Sequence, residues 1–203
     1  MVKKIYLLGG GYQDVFDDLD SKMLQESSSI FLVDFVSEDN EIIEVKKNRL
    51  KKHFEKIGFE KIEFASDFSD DEVVDKMDGA KLLFLCGGDT EILLKKIREK
   101  GLDKKIRDFD GIVEGNSAGA YVCCQEYVKI RDGNVEIIPA LGFVDFCCKA
   151  HYTDEFDSQL LEYSNTRKIY GIPEEAYMII SGKDLAFVGD VYLFENGSKL
   201  KIN

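Results

Sequence analysis

The segment GIVEGNSAGAYVCC at residues 111–124 joins a short apolar run to a turn of small residues and then to a second apolar run. Residues 111–115 have the length and composition of a buried strand, and the residues after Ser117 fit the beginning of a helix. A lone serine between small residues therefore lies where a strand is predicted to turn directly into a helix. This arrangement is typical of α/β proteins, in which helices cover a parallel sheet.

The same alternation of strand and helix extends from this segment back to the N-terminus. Further buried strands are predicted by short apolar runs at 4–9, 29–36, 61–65 and 81–88. Helices are predicted by apolar residues that recur on one face, at 45–57, 69–77 and 89–100. These patterns predict a mainly parallel sheet with helices on both of its faces.

The C-terminal part of the chain has a different pattern. Short strands are predicted in AYMIIS at 176–181, LAFVG at 185–189 and VYLFENGSKLKI at 191–202, where Asn196-Gly197 is a hairpin signal. The sequence contains no obvious linker, repeat or low-complexity segment. We expect one α/β domain over residues 1–203, with antiparallel strands at the C-terminal edge.

The composition of the 203-residue chain disfavours several classes of protein. A net charge of −12 and a pI near 4.7 disfavour a polyanionic partner such as nucleic acid. The apolar run at 5–8 is too short for the core of a signal peptide, and no stretch approaches the ~20 apolar residues of a membrane helix. We expect a cytoplasmic protein that binds neither nucleic acid nor membranes.

The cysteine pattern favours reduced thiols in or near the core. The chain has five cysteines, four of them in the adjacent pairs Cys123-Cys124 and Cys147-Cys148. Zinc could bind between two such pairs, but their spacing differs from that of known zinc ribbons, and no C-x-x-C motif occurs. We therefore expect no metal.

Three glycine-bearing turns follow predicted strands, at the edge where open α/β sheets place their ligand sites. The turns are Gly9-Gly10-Gly11, Gly87-Gly88 and 115–119. The first would need glycine at position 14 to complete a dinucleotide-binding pattern, but Asp14 stands there, and the chain has no Walker-type phosphate loop. We expect a tight turn at Gly9 and no nucleotide cofactor.

The turn around Ser117 has the form G-x-S-x-G between a strand and a helix. In a nucleophile elbow of this form the serine hydroxyl projects from the sheet, and small neighbours let a substrate approach. The free N–H groups at the helix N-terminus also point toward any oxyanion formed there. The same residues fit a serine N-cap followed by packing glycines, so a catalytic role requires a partner.

A nucleophilic serine needs a base, and the chain offers two histidines. His53 lies in KKHFEK on a predicted helix and fits a solvated face. His151 lies in CCKAHYTDEF, 34 residues after Ser117 and just before a predicted helix start at Thr153 or Asp154. His151 is therefore the candidate base by near elimination.

A third residue, a carboxylate, would orient the imidazole. Asp132, Asp145 and Asp154 are candidates, and spacing alone does not choose among them. Asp132-Gly133 is also an ordinary turn signal.

Three segments around these residues resemble the serine peptidase family of dipeptidase E (aspartyl dipeptidase) and cyanophycinase. They are LFLCGGDT at 83–90, GNSAGA at 115–120 and KAHYTD at 149–154. LLGGG at 7–11 and GIPEEAY at 171–177 resemble the same family, so the likeness covers most of the chain. Each motif is weak alone, but all of them in this order and spacing are specific.

The resemblance implies a fold and a set of roles. The fold would be a three-layer α/β sandwich with a mainly parallel sheet, similar to class I glutamine amidotransferases. Ser117 matches the family nucleophile, His151 the base, and Asp132, 15 residues after Ser117, the acid. The backbone N–H groups of Gly88 and Ala118 match the oxyanion hole.

Two departures from the family concern the substrate. Dipeptidase E has tryptophan where this chain has Asn116. Its aspartyl-selective relatives carry arginines after the histidine, whereas HYTDEFDSQLLEYSNTRK has none before Arg167. Because such an arginine could pair with a substrate carboxylate, a preference for N-terminal aspartate does not follow from the resemblance.

The expected function is hydrolysis of short peptides by a serine-type peptidase, as a monomer or a homodimer. An esterase of the α/β-hydrolase type shares the order Ser, Asp, His, but the short spacing from Ser117 to His151 and the lack of an HGGG-type motif disfavour it. A glutamine amidotransferase would have cysteine at position 117. A non-catalytic binding or regulatory protein on the same fold stays open as the alternative.

Overall fold

Parallel strands form the centre of a first sheet, called sheet A. The computed structural model describes residues 3–131 and 133–202. The parallel strands are β1 (Lys4–Leu8), β2 (Ser29–Val33), β3 (Lys61–Phe64), β4 (Leu82–Leu85) and β5 (Ile112–Asn116). They lie in the order β1-β5-β4-β2-β3. β4 and β5 are buried along their whole length, as expected of strands covered on both faces.

Helices connect these strands and cover the sheet. They are α1 (Asp17–Glu26), α2 (Asn40–Ile57), α3 (Asp70–Asp78), α4 (Thr90–Glu99), α5 (Asp103–Arg107) and α6 (Ala118–Cys123). α2 begins earlier than predicted because the Asp39 carboxylate caps it by accepting a hydrogen bond from the N–H of Glu41. In the described ranges, no helix is both long and apolar enough to cross a membrane.

After α6 the chain leaves sheet A and builds a second sheet, called sheet B, which the sequence analysis did not anticipate. Its first strands are β6 (Cys124–Arg131), β7 (Asn134–Pro139), β8 (Val144–Ala150) and, after α7 (Asp157–Tyr163), β9 (Ile169–Ile172). β8 pairs in parallel with both β6 and β9, whereas β7 is antiparallel to β6. β7 has only exposed and half-buried residues, so it lacks the continuous buried run of β4 and β5.

The C-terminal strands are divided between the two sheets. β10 (Tyr177–Ser181) and β11 (Asp184–Val188) extend sheet A from β1, and β12 (Val191–Glu195) and β13 (Ser198–Ile202) extend sheet B from β9. All of these pairings are antiparallel, as predicted, and β12 turns into β13 at Asn196-Gly197. The chain thus crosses between the sheets after β9 and again after β11.

The thiols lie in the core, as the sequence predicted. Cys86, Cys123, Cys124, Cys147 and Cys148 are all buried and free of disulfides. Burial raises the pKa of each of Cys86, Cys123 and Cys124, and it raises the pKa of Cys147 to about 12. These groups therefore stay protonated and pack as small apolar side chains.

Candidate active site

Ser117 lies in a sharp turn between β5 and α6. Its backbone has φ 53° and ψ −105°, which a residue with a side chain rarely adopts. The turn is held from both sides, because the N–H of Ser117 donates to the carbonyl of Leu8 at 3.1 Å and its own carbonyl accepts from the N–H of Tyr121 at 3.1 Å. Two elements of the fold thus fix the strained serine.

The small residues after Ser117 are required by close packing of the backbone. A Cβ atom on Gly119 would lie 2.0 Å from the carbonyl oxygen of Leu85 at the end of β4. α6 can therefore approach sheet A only without a side chain there. This contact explains why a lone serine is set among small residues.

His151 follows β8 of sheet B and meets Ser117. Its Nε2 atom lies 2.7 Å from Oγ of Ser117. The imidazole packs on Gly10, where a Cβ atom would come within 2.1 Å of Cε1, so the first glycine turn provides the surface on which the ring lies. The sequence analysis expected only a tight turn at this place.

Hydrogen bonds hold the backbone of His151 in the left-handed region, at φ 49°. Its N–H donates to the carbonyl of Gly9 at 2.6 Å. The preceding carbonyl, of Ala150, accepts from Oη of Tyr121 at 3.0 Å and from Nζ of Lys149 at 2.9 Å. The peptide unit that carries His151 is thus anchored at both its oxygen and its nitrogen.

Glu174 faces the other nitrogen of the imidazole. Its Oε1 atom lies 2.7 Å from Nδ1 of His151. A carboxylate that accepts from Nδ1–H leaves Nε2 free to accept the proton of the Ser117 hydroxyl. Ser117, His151 and Glu174 form a continuous chain of hydrogen bonds with the polarity that nucleophile activation requires.

The structure describes two of the three aspartates that were candidates for the orienting acid. Asp132 lies outside the residues that the structure describes. Asp145 is exposed on β8, and Asp154 accepts from Oη of Tyr152 at 2.9 Å and from Nζ of Lys199 at 2.7 Å. Neither of these two described aspartates has a hydrogen bond to His151.

Glu174 was not among the residues predicted for the site from the sequence. This residue lies between β9 and β10, within the GIPEEAY segment that carried part of the family resemblance. Its signal was a pair of glutamates after a proline, which is common on any acidic surface. Only the crossing from sheet B to sheet A brings the side chain to His151.

His53, the second histidine, belongs to a separate buried network. Its Nε2 atom lies 2.6 Å from Oδ2 of Asp20, which also accepts from Nε2 of Gln13 at 3.1 Å. Gln13 in turn donates to Glu114 at 2.8 Å and accepts from the amide of Asn116 at 3.0 Å. Burial, with the charge of Asp20, holds the pKa of Glu114 well above its usual range. His53 is thus buried rather than solvated, and its network ends beside Ser117.

A cleft of about 270 Å³ opens over Ser117 and His151. Besides these two residues it is lined by Gly11, Gln13, Lys46, Arg49, Leu50, Phe84, Gly87, Gly88 and Asn116. A larger cavity of about 490 Å³ lies between Met77 and Asp110 and contains neither Ser117 nor His151, so size alone does not identify the site. Lys46 and Arg49 make the wall of the cleft basic, in contrast to the acidic chain as a whole.

No cluster of metal ligands accompanies this cleft in the described ranges, where no three His, Cys, Asp or Glu side chains are arranged to hold an ion. The hydrogen bonds from Ser117 to His151 and from His151 to Glu174 support attack by an activated hydroxyl. A neighbouring base accepts its proton, and a carboxylate orients that base.

The chain is similar to known peptidases. The sequence profile of Peptidase family S51 matches residues 7–188. Uncharacterized peptidase Lmo0363 of Listeria monocytogenes is 28% identical over 152 residues, which cover 66% of this chain and 74% of the relative.

Solved structures resemble the whole chain. A peptidase from an acI-B1 Actinobacterium superposes with a TM-score of 0.80 at 19% identity, over 100% of this chain and 94% of that one. A candidate Peptidase E protein from Listeria monocytogenes EGD-e superposes with a TM-score of 0.66 at 21% identity, over 93% and 98% of the two chains. These likenesses confirm the expected α/β fold of the class I glutamine amidotransferase-like type.

Proposed function

The chain belongs to peptidase family S51, and we propose that it is a serine-type, dipeptidase E-like peptidase that hydrolyses short peptides. Family membership supports peptidase chemistry. The serine type is supported by the hydrogen bond between Ser117 and His151. A cleft of about 270 Å³ favours substrates of a few residues over a folded protein.

In the proposed reaction, Oγ of Ser117 attacks the carbonyl carbon of the scissile peptide bond while Nε2 of His151 takes its proton. The C–O bond that forms moves an electron pair onto the carbonyl oxygen. The N–H groups of Gly88 and Ala118 stabilise this oxyanion. The C–N bond then breaks, and Nε2–H protonates the leaving amine.

Water completes the cycle by attacking the acyl-serine while His151 accepts one of its protons. The acid product leaves, and the Ser117 hydroxyl regains its proton from Nε2–H. No oxidant, metal or nucleotide takes part in these steps.

A cytoplasmic location also remains a prediction.

Glu174 is proposed as the carboxylate that orients His151, in place of the Asp132 expected from the family spacing. The supporting observation is the 2.7 Å distance from Oε1 of Glu174 to Nδ1 of His151. The imidazole becomes positively charged as it accepts the proton, and a fixed carboxylate at Nδ1 stabilises that charge. Whether Asp132 contributes is a separate prediction, which its own variant tests.

The observation that carries the proposal is the Ser117–His151–Glu174 chain of hydrogen bonds, of which Ser117 and His151 line the cleft. The test is a panel of dipeptides with varied N-terminal residues, combined with labelling by a fluorophosphonate or a sulfonyl fluoride. We expect hydrolysis of part of the panel and a covalent adduct that peptide mapping assigns to Ser117.

Two results would speak against the proposal. A folded protein that cleaves no dipeptide and forms no adduct at Ser117 supports a binding or regulatory protein on the peptidase fold. Activity that is lost with a chelator and restored by a metal ion would replace the serine mechanism with a metal-dependent one.

A further inference from the structure

We propose that Lys46 is a positioning residue for the oxyanion hole. In this inference, which rests on the proposed function, the Lys46 ammonium group holds the carbonyl of Gly87 so that the next N–H, of Gly88, stays directed at the developing oxyanion. Lys46 therefore affects turnover without contacting the reacting atoms.

The first observation is a hydrogen bond inside the cleft. Nζ of Lys46 donates to the carbonyl oxygen of Gly87 at 3.2 Å. The carbonyl of Gly87 and the N–H of Gly88 belong to one planar peptide unit and point in opposite directions. Whatever fixes the oxygen therefore also fixes the direction of the N–H.

The second observation is that this peptide unit needs an anchor. Neither Gly87 nor Gly88 has a side chain, and Gly88 adopts φ 154°, so no side chain of its own restricts the peptide between them. Among the backbone hydrogen bonds of the described residues, none uses the N–H of Gly88. The donor is thus available to a substrate, and Lys46 is the group bonded to its peptide unit.

The third observation is that the glycine pair lies close to both the lysine and the serine. A Cβ atom on Gly87 would lie 3.4 Å from Cβ of Ser117, and one on Gly88 would lie 2.6 Å from Nζ of Lys46. The pair thus links the ammonium group to the surroundings of the reacting serine, which agrees with an indirect role.

Lys46 differs from its neighbour on α2 in how its charge is used. Lys47 forms ion pairs with Glu44, at 3.0 Å, and with Asp67. Lys46 has no carboxylate within ion-pair distance among the described residues, although the chain carries a net charge of −12. Lys46 lines the cleft, whereas Lys47 does not, so Lys47 provides a matched control.

Charges around Lys46 make its role dependent on pH. Burial lowers the pKa of its ammonium group, and the charge of Arg49 lowers it further, while Asp89 opposes this shift. Burial also raises the pKa of the Cys86 thiol, so this neighbour stays uncharged. Lys46 thus loses its charge at a lower pH than an exposed lysine. His151, which is also titratable, lines the same cleft.

The test compares Lys46→Met, Lys46→Arg and Lys47→Met with the wild type, using the dipeptide of the panel that the wild type cleaves fastest. We expect Lys46→Met to lower kcat at least about tenfold, because the Gly88 donor is no longer directed. KM should change less than about twofold, since the interaction strengthens only in the transition state. Lys47→Met should keep wild-type kinetics.

Lys46→Arg tests whether the charge of the side chain matters, rather than its packing. Its guanidinium group stays charged at alkaline pH, so it should restore most of kcat and shift the alkaline fall in activity to higher pH. Melting temperatures of all variants show whether any loss reflects unfolding.

Several outcomes would overturn the inference while leaving the proposed function intact. One is wild-type kcat in folded Lys46→Met. Another is a rise in KM confined to acidic dipeptides, which would make Lys46 a substrate-binding group. A third is an alkaline limb that Lys46→Arg does not move. If the wild type neither cleaves the panel nor labels at Ser117, the proposed function fails and the inference fails with it.

Discussion

Sheets A and B each supply one member of the Ser117–His151 pair, and they hold it by different means. Ser117 follows β5 of sheet A, where α6 packs so closely that Gly119 contacts the end of β4. His151 follows β8 of sheet B, where hydrogen bonds anchor the peptide before it. Steric packing tolerates no added atom, whereas single hydrogen bonds can be removed one at a time. Substitutions around Ser117 should therefore reduce stability, whereas substitutions around His151 should reduce turnover.

Glu174 connects the two regions. It lies in the crossing from β9 of sheet B to β10 of sheet A, and its carboxylate reaches His151 from there. The chain of hydrogen bonds thus depends on how the two sheets are held together. Three substitutions test whether changes around Ser117 mainly reduce stability and changes around His151 mainly reduce turnover.

The largest effect is expected from Gly119→Ala. The added Cβ atom would lie 2.0 Å from the carbonyl oxygen of Leu85, a backbone atom that cannot move aside. We expect a loss of more than about 4 kcal/mol in the free energy of unfolding, or no folded protein. Denaturant unfolding measures it. Gly79→Ala is the control, because a Cβ atom there meets nothing closer than 3.7 Å. Equal stability of the two variants would refute the steric account.

The next effect is expected from Glu174→Gln, which keeps the shape of the side chain and removes its charge. We expect kcat to fall about 100-fold with a smaller change in KM, because His151 loses the group that stabilises its charged form. Steady-state kinetics at matched pH measure it, with Glu175→Gln as the control. Asp132→Asn should have the weaker effect. If Asp132→Asn proves the more damaging of the two, the orienting role returns to the residue expected from the sequence.

The smallest effect is expected from Tyr121→Phe, a change on α6 that acts on the end of β8 in sheet B. It removes one of the two donors to the Ala150 carbonyl while Lys149 keeps the other. We expect kcat to fall severalfold and the free energy of unfolding to drop by about 1 kcal/mol. Tyr163→Phe is the control, because the Tyr163 hydroxyl donates to Val135 in sheet B. A loss of turnover as large in Tyr163→Phe as in Tyr121→Phe would remove the special role of this contact.

The contrast between the sheets also decides how much of the fold could be predicted. β1, β2, β4 and β5 are short buried runs that end at turns, and such runs mark parallel strands directly. β7 in sheet B has only exposed and half-buried residues, which is a weaker signal. The division of the C-terminal strands between two sheets depends on long-range pairing, which local patterns do not encode.

The residues of the candidate site also differ in how far the sequence could predict them. Ser117 was identified from a local motif, because its strained turn needs small residues nearby in sequence. His151 followed by near elimination from two histidines. Glu174 was missed because an orienting carboxylate needs only to reach Nδ1, so it can come from any segment that the fold brings there.

The central claim is that the Ser117 hydroxyl is the nucleophile, and the most direct measurement is turnover by Ser117→Ala on a dipeptide that the wild type cleaves. The small residues around position 117 accommodate alanine, so the melting temperature should stay near that of the wild type. We expect hydrolysis to fall to the background rate in a folded protein. Wild-type turnover by a folded Ser117→Ala variant would contradict the account.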